Sequence, residues 1–289
     1  MRKASAALLT WAILIAAVGA SAAASPGDPR LAAVHNWAFG LGLDANDPAV
    51  LDSLSRYDLV VVDGELTKSA SVVRMHQAGA IVLGYLSVGT IEPFRSWYPK
   101  LKRYGLSDRF KQFDEIYADV DAHGFRRLIS HRIAPRLLRS GFDGLFLDNT
   151  DMVETHKRER PGMRRLVRSL SAIVDGRGDL LFAQNGEASI GSLLRFYDGW
   201  NREDVTWTYS FKRRRYVRQP VAAIAEAQSA LRQIAARGLL VTTTDYTDAG
   251  DDAASGESAA NACAAGAIPF VSDIGLTRLP ADPLSCSSP

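Results

Sequence analysis

The sequence has few of the features that mark a metal, nucleotide or serine-dependent enzyme. Its 289 residues include only two cysteines and five scattered histidines, and no histidine pair has metal-ligand spacing. It contains no glycine-rich phosphate fingerprint and no Gly-x-Ser-x-Gly elbow. The net charge of +2 is too small to indicate binding to nucleic acid. We therefore predict no metal, no cofactor and no nucleic-acid partner.

Long apolar runs are absent except at the amino terminus. There, Arg2 and Lys3 precede an apolar stretch at 6–20 and small residues at 21–24. This pattern is typical of a secretory signal peptide over residues 1–24, because the run is shorter than the ~20 residues that a membrane anchor requires. We expect a secreted or periplasmic protein with no stable membrane insertion after signal cleavage. Cys263 and Cys286 would then either form a disulfide bridge or stay unpaired.

After a short linker at 25–33, the rest of the chain, 34–289, reads as one domain without internal repeats. Apolar, strand-like runs alternate with helical patterns, and the runs lie at 34–41, 59–62, 80–86, 145–147, 180–183, 197–200, 239–244 and 268–271. Eight such strands with no second domain predict an α/β fold, a single (β/α)8 barrel. The tail after Asp273 has little room for an eighth helix, so the tail or the linker should close the barrel.

One segment breaks this alternation. Residues 93–124 follow the third strand, exceed the length of an ordinary connection, and contain seven tryptophan, tyrosine or phenylalanine side chains. We predict a long aromatic loop after strand three. It would either shape a ligand cleft or pack as a small satellite core over the barrel mouth.

Carboxylates gather where the predicted strands end. The run at 145–147 is apolar throughout, as in a strand buried on both faces, so Asp148, Asn149 and Asp151 should lie at or beyond its carboxyl end. Acidic or amide residues also follow the other strands: Asp63, Glu65, Glu92, Asn185, Glu203, Asp204, Asp245 and Asp273. Such a rim suits acid/base catalysis on a glycosidic bond or attraction of a cationic ligand.

Four segments carry a resemblance to a known family. GYLSVG at 84–89 with Glu92 and Arg95, GFDG at 141–144, LDNTD at 147–151 and QNG at 184–186 resemble the endo-α-1,4-polygalactosaminidase family of glycoside hydrolases. The resemblance covers nearly the whole chain after the signal peptide, and LDNTD is its most specific part. It implies a (β/α)8 barrel that cleaves α-1,4-linked galactosamine polymers.

The same resemblance implies roles for individual residues. The catalytic pair would be Asp148 and Glu203; the sequence around Glu203 departs from the family pattern, so Glu92 or Asp204 is the alternative acid. The remaining residues expected to contact a polysaccharide substrate are Asp63, Tyr85, Glu92, Asn149, Asp151, Asn185 and Asp245.

A basic run complicates the choice of substrate. Lys212, Arg213, Arg214 and Arg215 lie in the loop after strand six and would repel a cationic polymer if they faced the cleft. They belong either to a solvated loop that points away or to a site for an anionic or mixed-charge glycan. The alternative functions are accordingly a noncatalytic carbohydrate-binding barrel and a hydrolase of a different, possibly anionic, polysaccharide. Linkage, anomeric outcome and oligomeric state stay open.

Overall fold

The computed structural model describes residues 27–286 of the chain. The predicted signal peptide and its cleavage point lie outside these residues. Within 27–286, no helix is long and apolar enough to cross a membrane. The segment predicted as a linker contains a 3-10 turn, Pro29–Ala33, which Asp28 caps and which buries Leu31 against the barrel.

Eight parallel strands form one sheet that curls into a nearly closed barrel, which confirms the predicted fold. In barrel order the strands are β1 (Trp37–Phe39), β2 (Leu59–Asp63), β3 (Ile81–Ser87), β7 (Gly144–Asp148), β8 (Leu180–Gln184), β9 (Gly199–Glu203), β12 (Leu240–Tyr246) and β13 (Ile268–Ser272). All their carboxyl ends therefore lie at one end of the barrel, where ligands bind in this architecture.

The barrel closes between β1 and β13 through side chains and loops. The indole nitrogen of Trp37 donates a hydrogen bond to the carbonyl of Ile268 at 3.1 Å. The backbone N–H of Gly42 donates to the carbonyl of Leu276 in the C-terminal tail at 3.2 Å. A Cys263–Cys286 disulfide joins the last helix to that tail, and the tail, over 273–286, contains no helix. The tail thus takes the place of an eighth helix.

Helices follow the strands on the outside of the barrel. They are α1 (Pro48–Leu54), α2 (Ser69–Gln77), α3 (Tyr98–Leu101), α4 (His123–Leu128), α5 (Ala134–Arg139), α6 (Arg160–Asp175), α7 (Glu187–Ile190), α8 (Val221–Ala235) and α9 (Asp252–Ala264). A π-helical turn, Ile129–Ile133, joins α4 to α5 into one helical segment. Asp47 caps α1 by accepting hydrogen bonds from Ala49 and Val50, next to a proline at the first helical position.

Aromatic side chains fill the barrel below the strand ends. Trp37, Phe39, Phe146 and Phe270 contact one another with ring centroids 5.0–6.5 Å apart. Side chains alternate along a strand, so Asp148 points to the same interior as Phe146, two residues earlier. These four rings fill the lower part of the barrel, so the polar side chains at the carboxyl ends of the strands lie above an apolar layer.

Two segments that leave the barrel, one after β3 and one after β9, form small β-sheets of their own. Residues 93–124, predicted as a loop, contain α3 and two strands, β5 (Gly105–Phe110) and β6 (Glu115–Ala118), which pair with β4 (Thr90–Ile91) in a three-stranded sheet. After β9, strands β10 (Trp207–Ser210) and β11 (Arg215–Arg218) form an antiparallel hairpin. The basic run occupies the tip and return strand of this hairpin.

Candidate active site

Asp148 is the last residue of β7 and lies among hydrogen-bond donors. The hydroxyl of Tyr85 donates to its Oδ2 at 2.6 Å, and the backbone N–H of Asn149 donates to Oδ1 at 2.6 Å. The amides of Asn149 and Gln184 each add a hydrogen bond at 3.1 Å. Burial raises the pKa of Asp148 above its ordinary value, and these donors oppose that rise by stabilising the ionised form.

Glu203 is the last residue of β9 and faces Asp148 across the barrel mouth. Its Oε2 accepts hydrogen bonds from the amides of Gln184 at 2.9 Å and Asn185 at 2.8 Å, and its Oε1 accepts one from the hydroxyl of Tyr246. Burial raises the pKa of Glu203 to about 8, with repulsion from Asp148 and Asp204 acting in the same direction. A pKa of about 8 keeps Glu203 mostly protonated at neutral pH.

A single amide group bridges the two carboxyls. The Nε2 atom of Gln184 lies 3.1 Å from Oδ1 of Asp148 and 2.9 Å from Oε2 of Glu203. Those two oxygens consequently cannot be more than about 6 Å apart. Retaining glycosidases place their carboxyls about 5–5.5 Å apart and inverting enzymes about 6.5–9.5 Å apart, so this upper bound on the nearer oxygens is compatible with the retaining class.

A buried network fixes the orientation of this bridging amide. The hydroxyls of Thr242 and Thr244 hydrogen-bond to Oδ1 of Asn201 at 3.1 and 3.3 Å. Asn201 in turn donates from Nδ2 to Oε1 of Gln184 at 3.1 Å, which leaves the Gln184 amino group facing the carboxyls. The reverse orientation would aim a carbonyl oxygen at an ionised carboxylate. Asn201 and both threonines are completely buried, so water does not compete for these bonds.

Two asparagines at the strand ends adopt left-handed backbone conformations. Asn149 has φ 58° and Asn185 has φ 56°, a conformation that asparagine tolerates better than most residues. In each case the turn brings the side-chain amide back over the preceding strand, where it contacts a catalytic candidate. Asn185 also accepts the backbone N–H of Glu203 at 3.0 Å, which links the fifth and sixth barrel strands.

Asp151 adds a third acidic group beside Asp148. It lies in the 3-10 turn Thr150–Glu154 that follows β7. Burial raises the pKa of Asp151 to about 7, and the charge of Asp148 adds to the rise. A cationic group bound here would relieve both effects.

Asp63 and Glu92, expected to contact substrate, are instead tied to Arg95. Its guanidinium is almost completely buried; it contacts Asp63 at 2.6 Å and holds both oxygens of Glu92 at 2.8 Å. Burial raises the pKa of Glu92, and the bonds from Arg95 oppose that rise. Because the guanidinium occupies both carboxyl oxygens of Glu92, neither is free to reach a leaving oxygen, so Glu92 is unsuited to the role of alternative acid.

Other acidic residues of the predicted rim accept hydrogen bonds from the backbone of nearby loops. Asp245 is buried and accepts hydrogen bonds from the backbone N–H groups of Val205 and Thr206, which fixes the loop after β9. Asp273 accepts the N–H groups of its own turn. Asp204, with φ 58°, makes no hydrogen bond to Asp148 or Glu203 within residues 27–286. The continuous ring of free carboxylates expected from the sequence is thus reduced to a smaller cluster around Asp148, Asp151 and Glu203.

A chain of aromatic contacts, which we call the aromatic strap, connects the two segments that leave the barrel. It runs from His156, in the loop after β7, to Tyr216 on β11, and Tyr216 contacts the loop after β13. Successive ring centroids are 4.3–5.8 Å apart, and the members in order are His156, Tyr117, Phe110, Phe113, Phe211, Tyr209 and Tyr216.

The strap is joined at its centre by one contact between the two segments that leave the barrel. Phe113, from the β5–β6 turn, and Phe211, from the β10–β11 turn, meet edge to face at 5.6 Å. The hydroxyl of Tyr216 accepts the backbone N–H of Ile274, which anchors the far end. The ordered sheet and its aromatic contacts agree with the expected satellite core, and the shaping of a ligand cleft by this segment stays a prediction.

Sequence reasoning did not assign Gln184 and Tyr246 to the site. Both end their strands and lie two residues after an interior side chain, Phe182 or Thr244. Two-residue alternation along these strands would have found them, had polar uncharged groups been counted with the carboxylates.

The comparisons with known proteins agree with the fold and identify the family. Residues 17–286 match glycoside-hydrolase family GH114. The fold is similar to that of the glycoside hydrolase domain of PelA from Pseudomonas aeruginosa, with 24% identity and a TM-score of 0.73 over 84% of this chain and 96% of that one. It is also similar to Ega3 from Aspergillus fumigatus in complex with galactosamine, with 16% identity and a TM-score of 0.68 over 85% of this chain and 93% of that one.

One curated relative is an uncharacterised protein of Deinococcus radiodurans, 30% identical over 150 residues. The matched part spans 47% of this chain and 46% of that protein, so the chain covers about half of the relative's length. Because the family match extends over nearly the whole chain, the protein belongs to glycoside-hydrolase family GH114.

Proposed function

We propose that this protein is a secreted glycoside hydrolase that cleaves α-1,4-linked, galactosamine-containing exopolysaccharide. The observation that carries the proposal is the pair Asp148 and Glu203, whose nearer oxygens one amide bridges within about 6 Å. Burial also raises the pKa of Glu203 to about 8, as a general acid requires. The similarity to Ega3, whose structure contains galactosamine, supports the choice of sugar. The predicted signal peptide supports secretion.

Asp148 is the nucleophile in this proposal. Its carboxylate attacks the anomeric carbon, the bond from that carbon to the leaving sugar oxygen breaks, and a covalent glycosyl-enzyme forms. The hydrogen bonds from Tyr85, Asn149 and Gln184 hold the carboxylate in place. As the nucleophile loses its charge to the new bond, the repulsion that it exerts on Glu203 falls.

Glu203 is the general acid and then the general base. It gives its proton to the leaving oxygen in the first step and becomes a carboxylate that three donors stabilise. In the second step it removes a proton from the water that attacks the glycosyl-enzyme, which returns it to the protonated state. The product keeps the anomeric configuration of the substrate.

Asp151 contributes to recognition of the sugar amine. An ammonium group beside Asp151 and Asp148 would offset the repulsion that raises the pKa of Asp151. A neutral sugar gains nothing from these charges. The acidic cluster thus favours a polymer with free amines over a neutral or anionic one.

The direct test is release of soluble oligosaccharides from a galactosamine-rich exopolysaccharide by the purified protein. Asp148→Asn keeps the size of the side chain and removes its charge, so turnover should fall by several orders of magnitude while the melting curve stays cooperative. Asp273→Asn is the matched control, because that strand-end carboxylate caps its own turn. More than about a tenth of wild-type activity in Asp148→Asn would refute the assignment.

A further inference from the structure

A second concave surface, whose lining includes neither Asp148 nor Glu203, is lined by cations. It consists of two adjoining cavities of about 590 and 410 Å³ on the outer helical layer, and they share Leu128 and Arg132. We call this surface the basic groove. Its basic residues are Lys100, Arg103, His123, Arg127, His131, Arg132 and Arg136, and no acidic residue lines either cavity.

Most of these charges have no partner in the fold. Within residues 27–286, the side chains of Lys100, Arg103, Arg127 and Arg132 form no salt bridge, whereas Arg136 contacts Glu65 at 3.7 Å. Like charges that face one another along a helix cost stability, by a few tenths of a kcal/mol for each pair. The arrangement is therefore unfavourable for the fold alone and is relieved by a bound anion.

One wall of the groove is built by a close approach of Tyr104 to the helical segment. Gly124 allows it, because a Cβ atom at this position would lie 2.0 Å from the tyrosine hydroxyl oxygen. Tyr104 packs edge to face on the buried ring of Phe125, with centroids 6.3 Å apart. Arg103 stacks over the same tyrosine at 4.9 Å, which orients its guanidinium.

The cations form a row. Arg127, Arg132 and Arg136 are four to five residues apart along the helical segment 123–139. At a rise of about 1.5 Å per residue, they follow one another along the helix axis at roughly 6–7.5 Å. The π-helical turn between Arg127 and Arg136 inserts the extra residue that brings Arg132 onto the same face. Such a row suits a linear polymer with a repeated negative charge rather than a single ion.

We propose that the basic groove is a noncatalytic binding site for an anionic polysaccharide, whose carboxylates pair with the row of arginines. Single-stranded nucleic acid is a poorer fit, because its bases need exposed aromatic platforms, and the tryptophan of the groove, Trp97, is only 8% exposed. The cluster around Asp148, Asp151 and Glu203 would repel the same polymer from the cleft.

The proposal gives the protein two separate polymer sites of opposite charge. The groove would hold the enzyme on a matrix rich in polyuronate while the acidic cleft cleaves another component. This inference does not depend on the proposed catalytic function, since the groove residues make no contact with Asp148 or Glu203 among the described hydrogen bonds and ion pairs.

The experiment measures binding of the purified protein to polygalacturonate, with neutral dextran as the control polymer. Arg127→Gln/Arg132→Gln should bind polygalacturonate about tenfold more weakly than wild type, since each lost pair contributes up to about 1 kcal/mol. Arg168→Gln/Arg232→Gln removes two exposed arginines that form no salt bridge in the described chain, and it should bind as wild type does. Binding should weaken steeply between about 50 and 200 mM salt.

Shape is tested separately from charge. Gly124→Ala keeps every charge and displaces Tyr104, so it should also weaken binding, while all variants should hydrolyse galactosamine polymer at the wild-type rate. The proposal is overturned by equal losses in the two arginine pairs, by unchanged binding in Gly124→Ala, or by tighter binding of single-stranded DNA than of polygalacturonate. Absence of polygalacturonate binding at low salt overturns it as well.

Discussion

Removal of the Tyr246 hydroxyl should shift the pH dependence of kcat/KM to higher pH. That hydroxyl donates a hydrogen bond to Oε1 of Glu203 and stabilises the ionised carboxylate, which lowers a pKa that burial has raised to about 8. Tyr246→Phe takes this donor away and leaves the two amide donors at Oε2 in place. The pKa of Glu203 should therefore rise further.

The size of the shift follows from the strength of one hydrogen bond to a charged group. Such a bond contributes about 1.5–3 kcal/mol, and one pKa unit corresponds to about 1.4 kcal/mol. The alkaline limb of the kcat/KM profile, which reports the acid of the free enzyme, should move up by about 1 to 2 pH units in Tyr246→Phe. The plateau rate should fall, because the carboxylate formed when Glu203 gives up its proton is less well stabilised.

Tyr197→Phe is the matched control for this experiment. The Tyr197 hydroxyl is buried, and it has no hydrogen-bond partner within residues 27–286. Its removal deletes the same atom from a buried ring away from the pair, and the profile should stay as in wild type. An alkaline limb that is unchanged or lowered in Tyr246→Phe, or one that moves equally in both variants, would refute the role of Glu203 as the acid.

Three further outcomes follow from the structure. Glu203 binds a proton in the folded state up to about pH 8 and in the unfolded state only up to about pH 4.5, so stability falls as pH rises between these values. The melting temperature of Glu203→Gln should therefore be on the order of 5 °C higher than that of wild type at pH 8, and the two should be equal near pH 4.5. The same difference in melting temperature at both pH values would contradict the raised pKa. Arg95→Met leaves two buried carboxylates unpaired and should cost about 3–5 kcal/mol in urea unfolding, against less than about 1 kcal/mol for Arg74→Met, whose ion pair is exposed. Similar losses of unfolding free energy in the two variants would show that the buried ion pairs of Arg95 stabilise the fold no more than an exposed ion pair does. Crosslinking Phe113→Cys to Phe211→Cys with a short bis-maleimide should close the strap and slow cleavage within long polymer about tenfold, while a small aryl glycoside is cleaved as before. Unchanged polymer cleavage would show that the strap need not open.

Most of the barrel strands could be predicted from the sequence because they are short apolar or β-branched runs, as a buried parallel strand requires. β9 was placed too early, at 197–200, because Asn201 and Arg202 looked like the start of a loop. The structure continues the strand to Glu203, since the buried Asn201 finds partners on β8 and β12. Those partners are distant in the chain, and sequence patterns do not reveal them.

The pairing of the acidic residues at the strand ends also depends on partners that sequence patterns do not reveal. Asp63 and Glu92 are acidic and follow strands, as predicted, yet Arg95 neutralises them through contacts that only the folded chain creates. Asp148 could be found because a charge at the end of a buried strand must face the barrel mouth. The sheet in 93–124 was missed because its strands are short, polar and partly exposed, so they lack the apolar runs by which the barrel strands were found.

In the proposed mechanism Asp148 is the nucleophile and Glu203 is the general acid, and one assay tests these separate roles most directly. Glu203→Gln should be compared on two substrates, one with a poor sugar leaving group and one with an activated aryl leaving group that needs no proton. The variant should lose several orders of magnitude on the first substrate and far less on the second. Equal losses on both would contradict the account and assign Glu203 to positioning.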